Sequence, residues 1–207
     1  MLIETVLERK RAKSGVRLTV KTAVAAFVVA LAVALPQIVH LVAGASGGVR
    51  WLPMYAPILL GGCLLGFKWG LGVGIAAPIV SFAITSALGN AMPAAARLPY
   101  MIAELAVFAA VSGAFSKLIV RNAWAAFPAV LLAEVAGRAV FLALAAIFQG
   151  VSSLDAATVW SQIQSGLLGM VLQAVVVPAI VIALRAALLS DSKRASEKKH
   201  DFRSPCR

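Results

Sequence analysis

The chain has 207 residues, of which 61% are hydrophobic and only 13% are charged, and its mean hydropathy is +0.94. A soluble domain is usually closer to half apolar and a quarter charged, so this composition excludes an ordinary soluble globular protein and indicates that lipid covers much of its surface. The net charge of +11 could also indicate a nucleic-acid-binding protein. However, the basic residues cluster at residues 9–21, in short loops and at residues 185–207, without interleaved aromatic side chains on which bases could stack. That distribution is typical of segments that flank a membrane and disfavours a nucleic-acid partner.

Six apolar segments follow one another along the chain and predict an all-α membrane protein, a bundle of about six transmembrane helices. They are Val20–Val42, Leu52–Phe67, Trp69–Leu88, Pro99–Val120, Trp124–Phe148 and Ile163–Leu189. The second segment is short and nearly continuous with the third, so a full crossing, a re-entrant segment and a strongly kinked segment are all open. The bundle, residues 20–189, follows a basic N-terminal segment, residues 1–19. It precedes a charged tail, residues 190–207, that is expected to be disordered.

The basic residues of the loops predict the orientation, because cytoplasmic loops carry an excess of Lys and Arg. With the N-terminus in the cytoplasm, the cytoplasmic side holds the N-terminal cluster, Lys68, Lys117, Arg121 and the basic tail. The opposite side then holds only Arg50, Arg97 and Asp155. Both termini are therefore expected in the cytoplasm, and the protein is expected in the cytoplasmic membrane of a bacterium.

Several polar side chains lie within the predicted spans, where such groups are costly and usually functional. Glu104 lies in the outer half of the fourth span. Glu134 and Arg138 lie four residues apart in the fifth span, a spacing at which they can pair along one helix face. The sixth span carries a stripe of polar and small residues: Gln162, Gly166, Gly169 and Gln173.

These groups have two interpretations. They either hold the helices together by hydrogen bonds, or they surround a cavity that is open to the outside and binds a small polar molecule. In the second case the candidates for hydrogen-bonding the ligand are Glu104, Arg138 and Gln162. Arg97 could neutralise an acidic group, and Trp51 and Tyr100 could pack against a ring, although residues at such depths also serve as interfacial anchors. Glu134 is expected to be the structural partner of Arg138, since a lone Arg would be expensive there.

Small residues recur at helix-packing intervals in the first span. Ala26, Ala30 and Ala34 lie on one helix face at i, i+4 and i+8. Small-xxx-small faces let two backbones approach closely in lipid. The face therefore predicts either packing within the bundle or a docking surface for another membrane protein.

No pattern in the sequence indicates an enzyme, a metal site or a cofactor. Gly61 and Gly66 have the spacing of glycines in a phosphate-binding loop, but the residues that follow do not supply the Lys and Ser/Thr of that loop. His40 and His200 are far apart in the sequence, and no HExxH or paired-cysteine motif is present. We therefore expect a protein without catalytic machinery of its own.

An ordered series of motifs resembles the substrate-binding S-components of energy-coupling-factor (ECF) vitamin transporters. It consists of LPMYAPILLGG at residues 52–62, GFKWG at 66–70, APIVSF at 77–82, MP at 92–93 and MIAELAV at 101–107. The series covers about a third of the chain, and the six-span layout agrees over the rest. Members of the family often have His where this chain has Tyr55, a departure that weakens any guess at a particular ligand.

The resemblance implies a division of labour. Such proteins bind a vitamin or related micronutrient from outside, in a pocket formed by outer loops and the last three helices. They then deliver it with a transmembrane coupling protein and a pair of ATP-binding-cassette ATPases. The face of Ala26, Ala30 and Ala34 is similar to the small-residue pattern through which the family contacts the coupling protein. The resemblance does not name the vitamin: pantothenate, a cobalamin-type compound and a queuosine precursor all stay open.

Two other functions stay open at this point. A self-contained secondary transporter or channel would use Glu104, Glu134 and Arg138 to relay protons or ions, although the two halves of the chain show no inverted repeat that would support it. A purely structural membrane scaffold would need neither polar groups in the outer half nor a pocket.

Overall fold

The computed structural model describes residues 2–9, 12–89, 92–148 and 156–201, and these residues form helices joined by short turns. Asp155 and Cys206 lie outside the described residues. The helices are α1 Leu2–Arg9, α2 Ser14–Trp51, α3 Tyr55–Leu65, α4 Phe67–Ala87, α5 Leu98–Ala114, α6 Ser116–Arg121, α7 Ala126–Phe148 and α8 Ala156–Asp201. Two 3-10 turns, Ala95–Arg97 and Ala123–Ala125, precede α5 and α7.

Five of these helices contain a stretch that is long and apolar enough to cross a membrane, which supports an all-α membrane protein. The stretches are Ser14–Gly44, Phe67–Ala87, Ala95–Ala114, Ala123–Phe148 and Ala157–Ser190. The remaining predicted span corresponds to α3, which has only 11 residues. At 1.5 Å per residue, α3 is roughly 16 Å long, about half of the hydrocarbon thickness. Six full-length spans are therefore not confirmed, and α3 is the short second segment.

The half-length helix α3 is enclosed by protein. Nine of its 11 residues are buried, and it contacts α2, α4, α5 and α8. It ends at Gly66, whose φ of 82° lies in the left-handed region that glycine adopts without a steric penalty. The Gly66 N–H still donates to the Gly62 carbonyl (2.8 Å), and the Gly66 carbonyl accepts from Gly70, so α4 begins at once. The conformation of Gly66 therefore separates α3 from α4, two helices that form a nearly continuous apolar segment in the sequence.

Helices α4 and α5 pack against each other through glycine. A Cβ placed on Gly74 would lie 2.5 Å from the carbonyl oxygen of Leu105, and one on Gly70 would lie 3.2 Å from that of Ala109. Gly72, between them, has no neighbour within 4 Å and faces outward. The Gly70-xxx-Gly74 pair is thus a small-residue face inside the bundle, where two backbones meet closely.

The N-terminal segment contains the short amphipathic helix α1. Leu2, Ile3 and Val6 are buried, and α1 contacts α3, α6 and α8. Glu4 Oε1 lies 3.0 Å from Lys21 Nζ on α2. This hydrogen bond from the Lys21 ammonium group holds the pKa of Glu4 below its ordinary value. Part of the predicted basic segment is therefore folded against one end of the bundle, which we call the basic end.

Helix α8 reaches the basic end and continues beyond it. Arg185 donates from Nε (3.2 Å) and Nη2 (2.8 Å) to the carbonyl of Val120, one of the last residues of α6. Carbonyls at a helix end lack intrahelical partners, so this contact satisfies one of them. α8 runs to Asp201 and thus crosses the predicted start of the tail at Ser190. Residues 202–207 of the tail lie outside the described residues.

Candidate functional site

A cavity of about 380 Å³ lies at the opposite end of the bundle, which we call the cavity end. Its size falls within the range of about 300–1,000 Å³ that is usual for small-molecule sites. Tyr55, the first residue of α3, and Met54, which precedes it, contribute to its wall. Because α3 is only half as long as a span, the space beyond its first turn is not filled by helix. The other described lining residues are Pro36, His40, Leu52, Pro53, Ser81, Met92, Pro93, Ala94, Arg97, Met101, Arg138, Phe141 and Gln162.

A buried polar network joins three helices beside this cavity. Tyr55 Oη on α3 donates a 2.8 Å hydrogen bond to Glu104 Oε2 on α5. Arg138 Nη1 on α7 lies 3.0 Å from Glu104 Oε1, and the Arg138 guanidinium carbon lies 4.9 Å from the centre of the Tyr55 ring. Glu104 is fully buried and Arg138 is 6% exposed. The cation is thus balanced by a carboxylate and by an aromatic face, as a charge at this depth requires.

This arrangement corrects the expected partner of Arg138. The ion pair is with Glu104 on a neighbouring helix, not with Glu134 four residues earlier on α7. Glu134 Oε1 is buried and has no hydrogen-bond partner among the described residues. The same holds for two buried donors of Arg138, Nε and Nη2. Glu134 and Arg138 thus lie on one helix without forming the expected ion pair.

Two sets of hydrogen bonds fix the loops around the cavity. The Gln173 amide Nε2 on α8 donates to the carbonyls of Trp51 (3.0 Å) and Leu52 (2.9 Å), where the chain leaves α2 with a φ of 48° at Leu52. On the other side, the Met92 N–H donates to Thr85 Oγ1 (2.7 Å) on α4. These contacts hold the two segments that enter the cavity wall, residues 52–54 and 92–94.

Three of the residues predicted for ligand binding line the cavity together. Arg97 comes from the turn before α5, Arg138 from α7 and Gln162 from α8. From Arg97 to Gln162 they span more than 60 residues of sequence, so the fold brings them to one place. Glu104 is not among the lining residues; it lies behind Arg138 and holds it.

The two aromatic candidates lie outside the cavity lining. Tyr100 is 7% exposed and packs edge-to-face on Phe141, with ring centres 6.2 Å apart. Phe141 itself lines the cavity, so Tyr100 supports the wall from behind. Trp51 is 39% exposed, and its carbonyl accepts the bond from Gln173.

Several lining residues do not stand out in the sequence by their chemistry. Tyr55 enters only as a departure from the family pattern, although a tyrosine within an apolar run is itself a signal. Met54, Met92 and Met101 give the cavity a flexible apolar wall. Their positions in apolar runs resemble those of core residues, and only the motifs at residues 52–62, 92–93 and 101–107 distinguish them.

The predicted partner surface is exposed. Ala26, Ala30 and Ala34 all face away from the bundle on α2. Only 11% of the most apolar window of α2 is buried, against 28–39% in the other four long apolar helices. A groove of about 400 Å³ runs beside Ala26, between α2 and α4. The alanine face is therefore in contact with lipid or with a partner, and the docking role stays a prediction.

Comparison of the chain with protein-family models, with curated proteins and with solved structures finds no match. The family resemblance therefore depends on the ordered motifs alone.

Proposed function

We propose that this chain is the membrane-embedded substrate-binding subunit of an ECF-type importer, which captures a vitamin or related micronutrient from outside. The observation that carries the proposal is the cavity at the end of the bundle, built around the buried Tyr55–Glu104–Arg138 network. Intramembrane charges are rare and usually functional, and this charge lines a cavity of ligand-binding size.

The residues that carry the family resemblance support this reading by their position. The motif at residues 52–62 supplies the cavity wall at residues 52–55, and the motif at 77–82 supplies Ser81. The motif at 92–93 lies in the wall, and the motif at 101–107 supplies both Met101 and Glu104. Four of the five motifs therefore meet at one site, as expected if they describe a binding pocket, whereas the motif at 66–70 lies at the groove between α2 and α4.

The charge distribution supports an outward-facing cavity. Described residues at the basic end include Lys21, Lys117 and Arg121, and the positive-inside rule assigns such an end to the cytoplasm. The cavity end then faces the outside, with both termini in the cytoplasm. The exposed alanine face of α2 is the proposed contact for a transmembrane coupling protein, and the associated ATPases would supply the energy.

A second function is favoured by one specific observation. Glu134 is buried on α7 near Arg138, and one of its carboxylate oxygens has no hydrogen-bond partner in the part of the chain that the structure describes. An intramembrane carboxylate of this kind can carry protons in a secondary transporter. That protein would move its substrate alone, using an ion gradient.

One experiment separates the two functions. The full chain is expressed alone in cells on rich medium, purified in detergent, and the small molecules released on denaturation are identified by mass spectrometry. A binding subunit retains a stoichiometric micronutrient without any gradient, and its liposomes do not accumulate that compound until the coupling protein and ATPases are added. If liposomes that contain the chain alone accumulate the compound under a proton gradient, and Glu134→Gln abolishes this accumulation, the protein is a secondary transporter instead.

A further inference from the structure

We infer that the ligand of the cavity is a compact organic anion, bound through a carboxylate or phosphate group by Arg138 and Arg97. This inference rests on the proposed function, since it names the chemical class of the substrate of that same cavity. It depends on three observations: the charge of the lining, the fixed position of one guanidinium group, and the size and polarity of the rest of the wall.

The lining carries positive charge without an acidic residue. Among the described residues that line the cavity, Arg97 and Arg138 are cationic and none is Asp or Glu. Glu104, behind the wall, neutralises one of the two charges through its 3.0 Å ion pair with Arg138. No side-chain partner is found for Arg97 in the described part of the chain. Within the described residues, Arg97 therefore has no acidic partner at the cavity, and an anionic group of the ligand would balance its charge.

The guanidinium of Arg138 is held in the cavity wall by its protein partners. Nη1 lies 3.0 Å from Glu104 Oε1, and the guanidinium carbon lies 4.9 Å from the centre of the Tyr55 ring. Nε and Nη2 are buried, and neither has a hydrogen-bond acceptor among the described residues. Arg138 is 6% exposed and lines the cavity, so a bound anion would meet a cation whose position the wall fixes.

The remainder of the wall is apolar and sets the size of the ligand. Met54, Met92, Met101 and Phe141 surround the arginine, and Gln162 adds an amide. A volume of about 380 Å³ is near the lower limit of the usual range for small-molecule pockets, roughly 300–1,000 Å³. The cavity therefore suits a small molecule with one anionic group and an apolar body, and it is too small for a macrocyclic cofactor.

The test uses the full chain purified in detergent and a low-molecular-weight ultrafiltrate of yeast extract. Anion exchange at neutral pH separates the ultrafiltrate into a retained pool of anions and an unretained pool of neutral and cationic compounds. The chain is incubated with each pool and washed. Bound molecules are then identified by mass spectrometry, and thermal stability is measured with each pool. We expect a bound anion and a raised Tm with the anion pool only, because a ligand that binds the folded state stabilises it.

Three variants connect the result to the proposed contacts. Arg97 lies at the rim, so the variant Arg97→Gln should fold. It should weaken binding of the identified anion about tenfold or more, the usual effect of losing a hydrogen bond to a charged group. Arg138→Lys keeps a cation next to Glu104 but removes the planar guanidinium group, and it should also weaken binding of the anion. Arg121→Gln, at the basic end, is the matched control and should bind as wild type does.

Each other outcome is decisive. A bound compound from the neutral and cationic pool, with affinity unchanged in Arg97→Gln, would overturn the anion inference and leave the binding-subunit function in place. Release of phospholipid alone would overturn the inference and remove the support for a soluble substrate. No bound small molecule from either pool would overturn both the inference and the proposed function.

Discussion

Replacing Gly74 with alanine tests whether the close approach of α4 and α5 stabilises the bundle. The added Cβ would lie 2.5 Å from the Leu105 carbonyl oxygen and 3.0 Å from Ala109 Cβ. Ordinary contacts of this kind begin at 3.4 Å, so the two helices must move apart by about 1 Å. The Leu105 oxygen belongs to the helix backbone and cannot turn away as a side chain could. We expect the overpacking cost of about 1–3 kcal/mol that is typical of extra methyl groups in tight cores.

Gly72→Ala is the control, because a Cβ at Gly72 meets nothing within 4 Å. Both substitutions share the intrinsic gain of roughly 0.5–1 kcal/mol that alanine has over glycine within a helix. The difference between the two variants therefore isolates the packing contribution.

The assay is thermal denaturation of each full-length variant in the same detergent. For a chain of this size, about 1 kcal/mol corresponds to a Tm change of roughly 2–4 °C, so Gly74→Ala should melt about 2–12 °C below Gly72→Ala. Equal Tm values for the two variants would refute the close approach of α4 and α5 at this position.

Two further predictions concern polar contacts. Tyr55→Phe removes one hydrogen bond to a buried carboxylate and should destabilise the protein by about 1.5–3 kcal/mol. Glu104→Ala should cost about 3–5 kcal/mol, because it leaves Arg138 buried and unpaired; losses below about 1 kcal/mol in both variants would contradict the network. The Glu4–Lys21 ion pair should contribute less than about 1 kcal/mol, since it is partly exposed. Because the pKa of Glu4 is lowered from 4.5 in the folded protein, that contribution is present above pH 4.5 and lost as the pH falls through the lowered value. The Tm gap between wild type and Lys21→Gln should therefore close in acid, and a gap that widens there would show that the pair is absent.

The sequence predicted the long apolar helices well because their apolar runs are uninterrupted. The predicted segment Trp124–Phe148 ends where α7 ends, and Trp69–Leu88 differs from α4 by two residues at its start and one at its end. The sequence did not predict how short α3 is. Hydropathy shows that residues 52–67 are apolar, but it does not show that the chain leaves α2 in a turn at residues 52–54, which shortens the helix that follows.

The candidate site was predictable in its charged members and not in their pairing. Arg97, Arg138 and Gln162 stand out as polar groups near the outer ends of apolar helices, and the structure brings them to one cavity. The partner of Arg138 was mistaken because helix periodicity reveals only neighbours on the same helix. The contact with Glu104 crosses from α7 to α5 and depends on how closely the two helices pack. The spacing of residues along one helix does not reveal that packing.

Helix α2 is fastened near both ends, and its alanine face is exposed between them. Lys21 ties its first turns to α1, whereas Gln173 holds the carbonyls at its exit, where residues 52–54 enter the cavity wall. Pro36 and His40, which lie between these two points, also line the cavity. A partner that bound the alanine face and shifted α2 would therefore move part of the cavity wall and change the affinity for a ligand. By thermodynamic linkage, the ligand would change the affinity of that partner by the same factor. The loaded and the empty protein would then differ in how tightly they bind the partner.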